Sequence, residues 1–324
     1  MASWLRIAIA VAIITGVGCD AILGIDDGVP REAGGPGDSS VDAASDGGLD
    51  ASDAGAPDVA APNCDVDAAF ATPTVFTTLD GPGNDEHLRL VPNELTAVYQ
   101  SVLDGGLGSF DIYTAARSSI ADTWKNVTAV PAVNSASADD DPSISADQLT
   151  LYLARGGGIY RATRATATRA FAAPAALAGV NSGANDFGPY LGDDGSALYF
   201  SSTRDSDAGV AQLFVTQPLA DGGFTPPTGV AGAGTSGDNR FAAVTADQLV
   251  LYFGSTRSGG QGSHDVWLAT RASTATAFGA PRIVPEVSST SEDQPTWVSS
   301  DRCRLYLTSN RSGTYKLYVA TKTP

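Results

Sequence analysis

Residues 292–322 read EDQPTWVSSDRCRLYLTSNRSGTYKLYVATK. An apolar run around Tyr306, a serine and an arginine behind it, and a second aromatic run at Lys316-Leu317-Tyr318 form one unit. Four weaker copies precede it. Aligned on the first aromatic they fall at Tyr99, Tyr152, Tyr199, Tyr252 and Tyr306, with steps of 53, 47, 53 and 54 residues. The second aromatic recurs in Asp111-Ile112-Tyr113, Gly158-Ile159-Tyr160, Gln212-Leu213-Phe214 and Asp265-Val266-Trp267. A turn residue stands five positions ahead of each first aromatic: Glu94, Asp147, Asp194, Asp247 and Asp301. A period near 50 residues, carried by short apolar runs, indicates propeller blades rather than helical repeats.

Each copy reads as strands. Gln248-Leu249-Val250-Leu251-Tyr252-Phe253 is apolar on both alternating faces, as a strand covered by a neighbouring blade on each side must be. Asp-Gly, Ala-Asp-Gln and Ser-Gly clusters supply the turns. Strand a is read at Pro295 to Val298, strand b across the "LY" run and strand c at the second aromatic. Strand d follows an aromatic at Trp124, Phe171, Phe224 and Phe278. The stretch Arg161 to Leu177 is Ala-rich, but its threonines and Pro174 argue for strand c, loop and strand d over a helix. The fifth copy has no strand d, because the sequence given stops at Pro324. A matching piece, Phe70 to Leu79, stands ahead of the first copy and is similar to Phe278 to Val284. The expectation is therefore an all-β, five-bladed propeller of four-stranded antiparallel blades over residues 70–324, closed by an N-terminal strand in the last blade. Closure removes exposed sheet edges.

The pattern Asp-x-x-Pro, a Ser/Asp turn, Leu-Tyr-Phe/Leu-x-Ser-x-Arg and Leu-Tyr-Val resembles the repeats of TolB-like, WD-like propellers. Asp293, Pro295, Asp301, Ser309 and Arg311 match it, as do Asp186, Pro189, Asp194, Ser202 and Arg204. Asp238, Asp247, Ser255 and Arg257 match in the fourth copy, which has Ala242 in place of proline. The second copy shortens the loop to Arg155, and the first has Asp104 where the arginine belongs. The resemblance covers about residues 70 to 322. It implies a binding role at the cell envelope, with a protein or peptide as partner. TolB carries a further N-terminal domain that nothing here matches, so a Tol-system role does not carry over.

The chain has 324 residues and a net charge of -17. Residues 1–69 hold 12 acidic and 2 basic side chains, leaving a net of -7 for 70–324. With no basic stripe to release phosphate counterions, nucleic-acid binding is disfavoured. Residues 1–19 read as a secretion signal: Arg6, an apolar run from Ile7 to Val17, then small residues. Gly16-Val17-Gly18-Cys19 resembles a bacterial lipobox, which implies cleavage before Cys19 and lipidation of its thiol. That would anchor the protein to a bacterial membrane, on a periplasmic face or at the cell surface. Residues 20–69 are rich in Asp, Ala and Gly and nearly devoid of aromatics, the composition of a disordered acidic linker. The spacing of Asp38, Asp42, Asp46 and Asp50 lacks the Gly and Glu of an EF-hand loop, and is read as solvation.

Cys64 lies just ahead of the N-terminal strand d, and Cys303 on strand b of the blade that strand should complete. The two are expected to form a disulfide that locks the ring. The alternative is a small core residue at Cys303 and a free thiol at Cys64.

One acidic residue precedes strand a in each copy: Asp85, Asp141, Asp186, Asp238 and Asp293. These are the candidate channel ligands, with Trp297 beside them. A ring of carboxylates suits a cation, a sugar or a basic peptide. Recurrence in every blade favours instead a turn in which each Asp accepts backbone N–H bonds. Arg204, Arg257 and Arg311 are read as partners of neighbouring aspartates. Nucleophilic catalysis has no support: His87 and His264 fall in loops of different copies, and no Gly-x-Ser-x-Gly elbow occurs. No metal motif or cofactor is expected. A glycosidase with carboxylates Asp85, Glu86 and Asp141 is an alternative, since acid–base cleavage needs such a pair. The expectation is thus a monomeric, non-catalytic envelope lipoprotein binding a protein or peptide. A glycan-binding or glycan-cleaving propeller and a structural surface protein are the alternatives.

Overall fold

The computed structural model describes residues 63–323, apart from 78, 80–83, 104–105 and 207. The expected signal segment with Cys19, the linker up to residue 62 and Asp104 lie outside the described residues. From residue 63 onward every regular element is a strand. The first, β1 (Thr74–Val75), belongs to the last blade. Blade one is β2 (Asp85–Leu90), β3 (Thr96–Ser101), β4 (Asp111–Ala116) and β5 (Lys125–Ala129). Blade two is β6 (Asp140–Ile144), β7 (Thr150–Arg155), β8 (Gly158–Thr163) and β9 (Ala175–Ala176). Blade three is β10 (Asp186–Leu191), β11 (Leu198–Ser202), β12 (Gln212–Thr216) and β13 (Thr228–Gly229). Blade four is β14 (Asn239–Val244), β15 (Val250–Ser255), β16 (Asp265–Thr270) and β17 (Arg282–Ile283). Blade five is β18 (Asp293–Val298), β19 (Arg304–Ser309) and β20 (Lys316–Thr321), completed by β1. All pairings are antiparallel, and the five-bladed ring expected from the repeat is the one observed.

The seam reproduces the repeat across the two ends of the chain. Thr74 pairs with Val319 and Val75 with Tyr318. Phe70 occupies the place of Trp124, Phe171 and Phe278, each of which lies under a cation: Arg117 at 4.5 Å, Arg164 at 4.3 Å and Arg271 at 4.4 Å. In the last blade the cation is Lys322, 4.4 Å from the Phe70 ring. Its Nζ donates to the carbonyls of Asp65 (3.0 Å) and Val66 (2.8 Å). Residues 63–69, expected to belong to the linker, are therefore fastened to blade five. Cys64 and Cys303 are joined by the expected disulfide, with Cα atoms 5.1 Å apart. Cys303 sits one residue ahead of β19 rather than on strand b. Bonds of this kind persist in oxidising, exported compartments.

The aromatic alignment holds in four blades and slips by one in the first. Tyr152, Tyr199, Tyr252 and Tyr306 pair with Ser143, Tyr190, Ala243 and Trp297, but the residue opposite Arg89 is Val98, not Tyr99. The turn shifts with it. Asn93 accepts the Leu95 N–H at 3.0 Å, as Asp147, Asp194, Asp247 and Asp301 do for the residues two positions on. Both faces of strand b are buried by flanking blades, so apolar pattern alone does not say which face an aromatic takes. Glu94, freed from the turn, binds across the seam instead. Its carboxylate accepts from Arg304 Nε at 3.0 Å and Tyr306 OH at 3.1 Å, with Arg117 at 3.5 Å.

The disulfide closes a loop of 239 residues in sequence. Cys303→Ser is expected to cost about 2–5 kcal/mol, with the loop-entropy figure of about 5 kcal/mol as the upper end. Denaturant titration should show a lower midpoint and a slope that is, if anything, steeper, because the unfolded chain released from the cross-link exposes more surface. Equal stability with and without the bond would contradict a clasp at the seam.

The channel mouth as candidate functional site

The repeated Asp–Ser–Arg set is a buckle between blades. In blade three the fully buried Asp186 accepts from Ser182 N (2.7 Å), Ser182 Oγ (2.9 Å), Ser202 Oγ (2.5 Å) and Arg204 Nη2 (2.7 Å). Arg204 also donates to the carbonyl of Val180, in the connection arriving from blade two (2.7 Å). Blade five repeats this with Ser289, Asp293, Arg311 and Val287. Blade two uses Asp139 and Arg155, and blade four Asn239 and Arg257. Register therefore assigns Asp85, Asp139, Asp186, Asn239 and Asp293 to one position, facing Ser101, Arg155, Ser202, Ser255 and Ser309. Asp141 lies two residues deeper than its expected place. Asp238 lies one residue outside it and pairs with Arg240 at 2.5 Å. The arginines bind aspartates as expected, except that Arg257 takes Asn239. Trp297 is not available to a ligand: it is fully buried, 5.6 Å from the Tyr306 ring.

The channel is lined by the next residues inward, whose identity changes from blade to blade. The second position carries Glu86, Asp140, Phe187, Arg240 and Gln294, and the third His87, Asp141, Gly188, Phe241 and Pro295. Each strand a bulges there, and four of the five third-position residues have positive φ: His87 51°, Asp141 54°, Gly188 60° and Phe241 54°. Bulges re-aim side chains, and non-glycine residues in this conformation carry a strain cost that functional sites often bear. Pro295, with φ locked, is the exception. A Cβ on Gly188 would meet the Phe241 ring at 2.9 Å, so glycine makes room for that ring. The resulting mouth has a volume of about 320 Å³ and is lined by His87, Asp140, Asp141, Phe187, Arg240 and Phe241, among others. Below it the channel narrows to about 30 Å³ between His87, Arg89, Tyr190 and Thr296.

His87 is on β2, not in a loop, and is the hub of the mouth. Its Nδ1 faces Asp141 in a short ion pair and Gln100 Oε1 at 3.1 Å, and its Nε2 faces Gln294 Oε1 at 3.0 Å. Burial pulls the imidazolium pKa down, but the Asp141 charge and hydrogen bond outweigh it and push it up to about 10. Carboxyls crowd around this cation. Burial, then Asp141, push Asp140 up to about 7. Glu86 is also raised, by burial first, with Asp141 and Glu292 adding to it and His87 opposing. Glu292 is held down to about 2, chiefly by the hydrogen bond from His264, together with Tyr315 and Gln294. Deeper, Arg89 lies 3.5 Å from the Tyr190 ring centroid and 3.1 Å from Asp193. Its Nε and Nη1 find no partner among the described residues.

Of the expected ligands, only Asp141 and Asp186 line the mouth, and Asp186 is spoken for by its buckle. His87, Asp140, Phe187 and Phe241 line it too, and the charges of Glu86 and Glu292 act on its neighbourhood; of these only Glu86 was a sequence candidate, in the glycosidase alternative. No group of three or more His, Cys, Asp or Glu is arranged for a metal ion among the described residues.

No protein-family model and no curated protein matches the chain. It is similar to solved propellers. TolB from Acinetobacter baumannii is 15% identical over 75% of this chain and 56% of that one, with a TM-score of 0.47. An endo-1,4-beta-xylanase from Bacteroides thetaiotaomicron is 12% identical over 79% and 95%, with a TM-score of 0.46. CoXyl43, a beta-xylosidase/alpha-arabinofuranosidase from a compost microbial metagenome, is 13% identical over 79% and 94%, with a TM-score of 0.49. The chain thus spans little more than half of the A. baumannii TolB chain. At these identities and overlaps the likenesses assign neither activity nor partner.

Two outcomes separate buckle from mouth. Asp293→Ala strands the partly buried Arg311, and should cost about 2–3 kcal/mol in a denaturant titration. Asp140 has the opposite sign. Its folded pKa is raised, so its contribution is held in full below about pH 4 and lost as pH rises through about 7. Asp140→Asn removes that loss, and should raise Tm at pH 8 by about 2–4 °C while leaving it nearly unchanged at pH 4. Identical melting curves at pH 8 would mean that water already solvates the carboxyl.

Proposed function

We propose that this is an exported, non-catalytic binding protein whose propeller receives a protein or peptide at the acidic channel mouth. The observation that carries the reading is the contrast between positions. Residues that hold blades together repeat around the ring, whereas those at the mouth differ in every blade. Charge is buried among them at a cost to the fold. Residues 1–19, ending at a lipidated Cys19, and the acidic linker would hold the propeller near a membrane surface.

A second reading is glycan binding or cleavage at the same mouth. Its support is Asp140, a carboxyl poised near neutrality beside Asp141, as an acid–base pair would require.

The full-length protein and an Asp140→Asn, Glu86→Gln variant should be used side by side to capture partners from an envelope extract. Both should also be tested on arabinan and xylan oligosaccharides. The binding reading expects a protein captured by the wild type only. Sugar release by the wild type that the variant loses would replace it with the hydrolase. Fatty-acid labelling that persists in Cys19→Ala would remove the anchor.

A further inference from the structure

Arg89 starts on β2 of blade one and ends against blade three, so its side chain crosses the channel. Its Nη2 donates to the carbonyl of Leu191 and, at 3.1 Å, to Asp193 Oδ1, while the guanidinium carbon lies 3.5 Å from the centroid of the Tyr190 ring. Nε and Nη1 have no acceptor among the described residues, although Arg89 is only 2% exposed. Thr296, on β18 of blade five, is 9% exposed, and its Oγ1 also has no partner among the described residues. Both side chains line the throat of about 30 Å³ below the mouth. Buried donors without acceptors are costly, and most so on a charged group.

Donors and acceptors decide what suits the throat. Nε carries one N–H and Nη1 two, neither nitrogen can accept, and the Thr296 hydroxyl can donate as well. The carboxylate on the wall, Asp141, is already committed: one oxygen pairs with His87, and the other accepts the Gly188 N–H at 2.9 Å. His87 is engaged at both ring nitrogens, and the Tyr190 hydroxyl donates to the Val244 carbonyl at 2.9 Å. Among the described residues no lining side chain offers an unmet carboxylate or amide oxygen. A water would meet some of these donors but brings two protons that need acceptors of their own, whereas an anion only accepts. A water-sized sphere needs about 10–15 Å³, so the throat has room for a monatomic anion and is too small for sulfate or phosphate.

We infer that the throat is a binding site for one small monovalent anion of halide size, held by Arg89 Nε and Nη1 and by the Thr296 hydroxyl. The anion bridges blade one to blade five on the channel axis, with blade three holding the far side of the guanidinium. The site is independent of what the mouth receives.

Full-length protein is melted at constant ionic strength while sodium gluconate is exchanged for sodium chloride. Chloride should raise Tm saturably, by about 3–6 °C at about ten times its Kd. Thr296→Val and Arg89→Gln should each reduce that gain, and comparing them with the wild type in the same salts cancels the general effect of salt. If Arg89→Gln does not fold, Thr296→Val decides. Crystals grown without halide and soaked in bromide should show anomalous scattering beside Arg89 and Thr296. Equal melting in the two salts, or a chloride gain undiminished in the folded variants, overturns the site. So does bromide found on the outer surface alone, an adventitious ion only, with water in the throat. Partner capture and sugar release at the mouth bear on the proposed function and leave this inference unmoved.

Discussion

Two backbone pairs, Thr74 with Val319 and Val75 with Tyr318, turn a row of sheets into a ring. Everything at the mouth depends on that closure. His87 on β2 reaches Gln294 on β18, residues 207 apart in sequence, only because blade one abuts blade five. The short β1 does not hold the seam by itself. Phe76 packs edge to face on Tyr306 at 5.3 Å, Glu94 gathers Arg304, Tyr306 and Arg117, and Lys322 covers Phe70. The seam thus combines an apolar interlock with charged groups that are satisfied within the fold.

The same chemistry gives opposite results at neighbouring positions. Asp186 is fully buried and its pKa is lowered, because hydroxyls, an N–H and a guanidinium outweigh desolvation. Asp140 is less buried and its pKa is raised, because desolvation meets more negative charge. Burial alone therefore does not decide whether an acidic residue supports the propeller. What decides is whether the surrounding blade supplies donors. Asp186 has them; Asp140 has none among the described residues.

The number of blades, the strand assignment, the closing strand and the cysteine pair were legible in the sequence because each is tied to a repeat or to its interruption. Repeat comparison finds what blades have in common, and what they have in common is structural. That is why it returned Asp186 and Asp293, and why it put Asp141 and Asp238 on the wrong rungs. His87, Asp141, Gly188, Phe241 and Pro295 occupy one rung, and no alignment by similarity would group them. Their positive φ values, which mark the rung in four blades, are carried by His, Asp, Gly and Phe, of which only glycine adopts such a conformation freely. Val98 was missed for a related reason. A strand packed on both sides shows no polar face from which to count.

Cys64 precedes β1, and its bond to Cys303 makes a covalent bypass around that strand. Tension applied to the polypeptide upstream of Cys64 runs through sulfur into blade five and never reaches Thr74–Val75. Without the bond the same pull would peel a two-residue strand from the edge of its sheet, one hydrogen bond at a time. A pull on the leading end would therefore leave that strand in place.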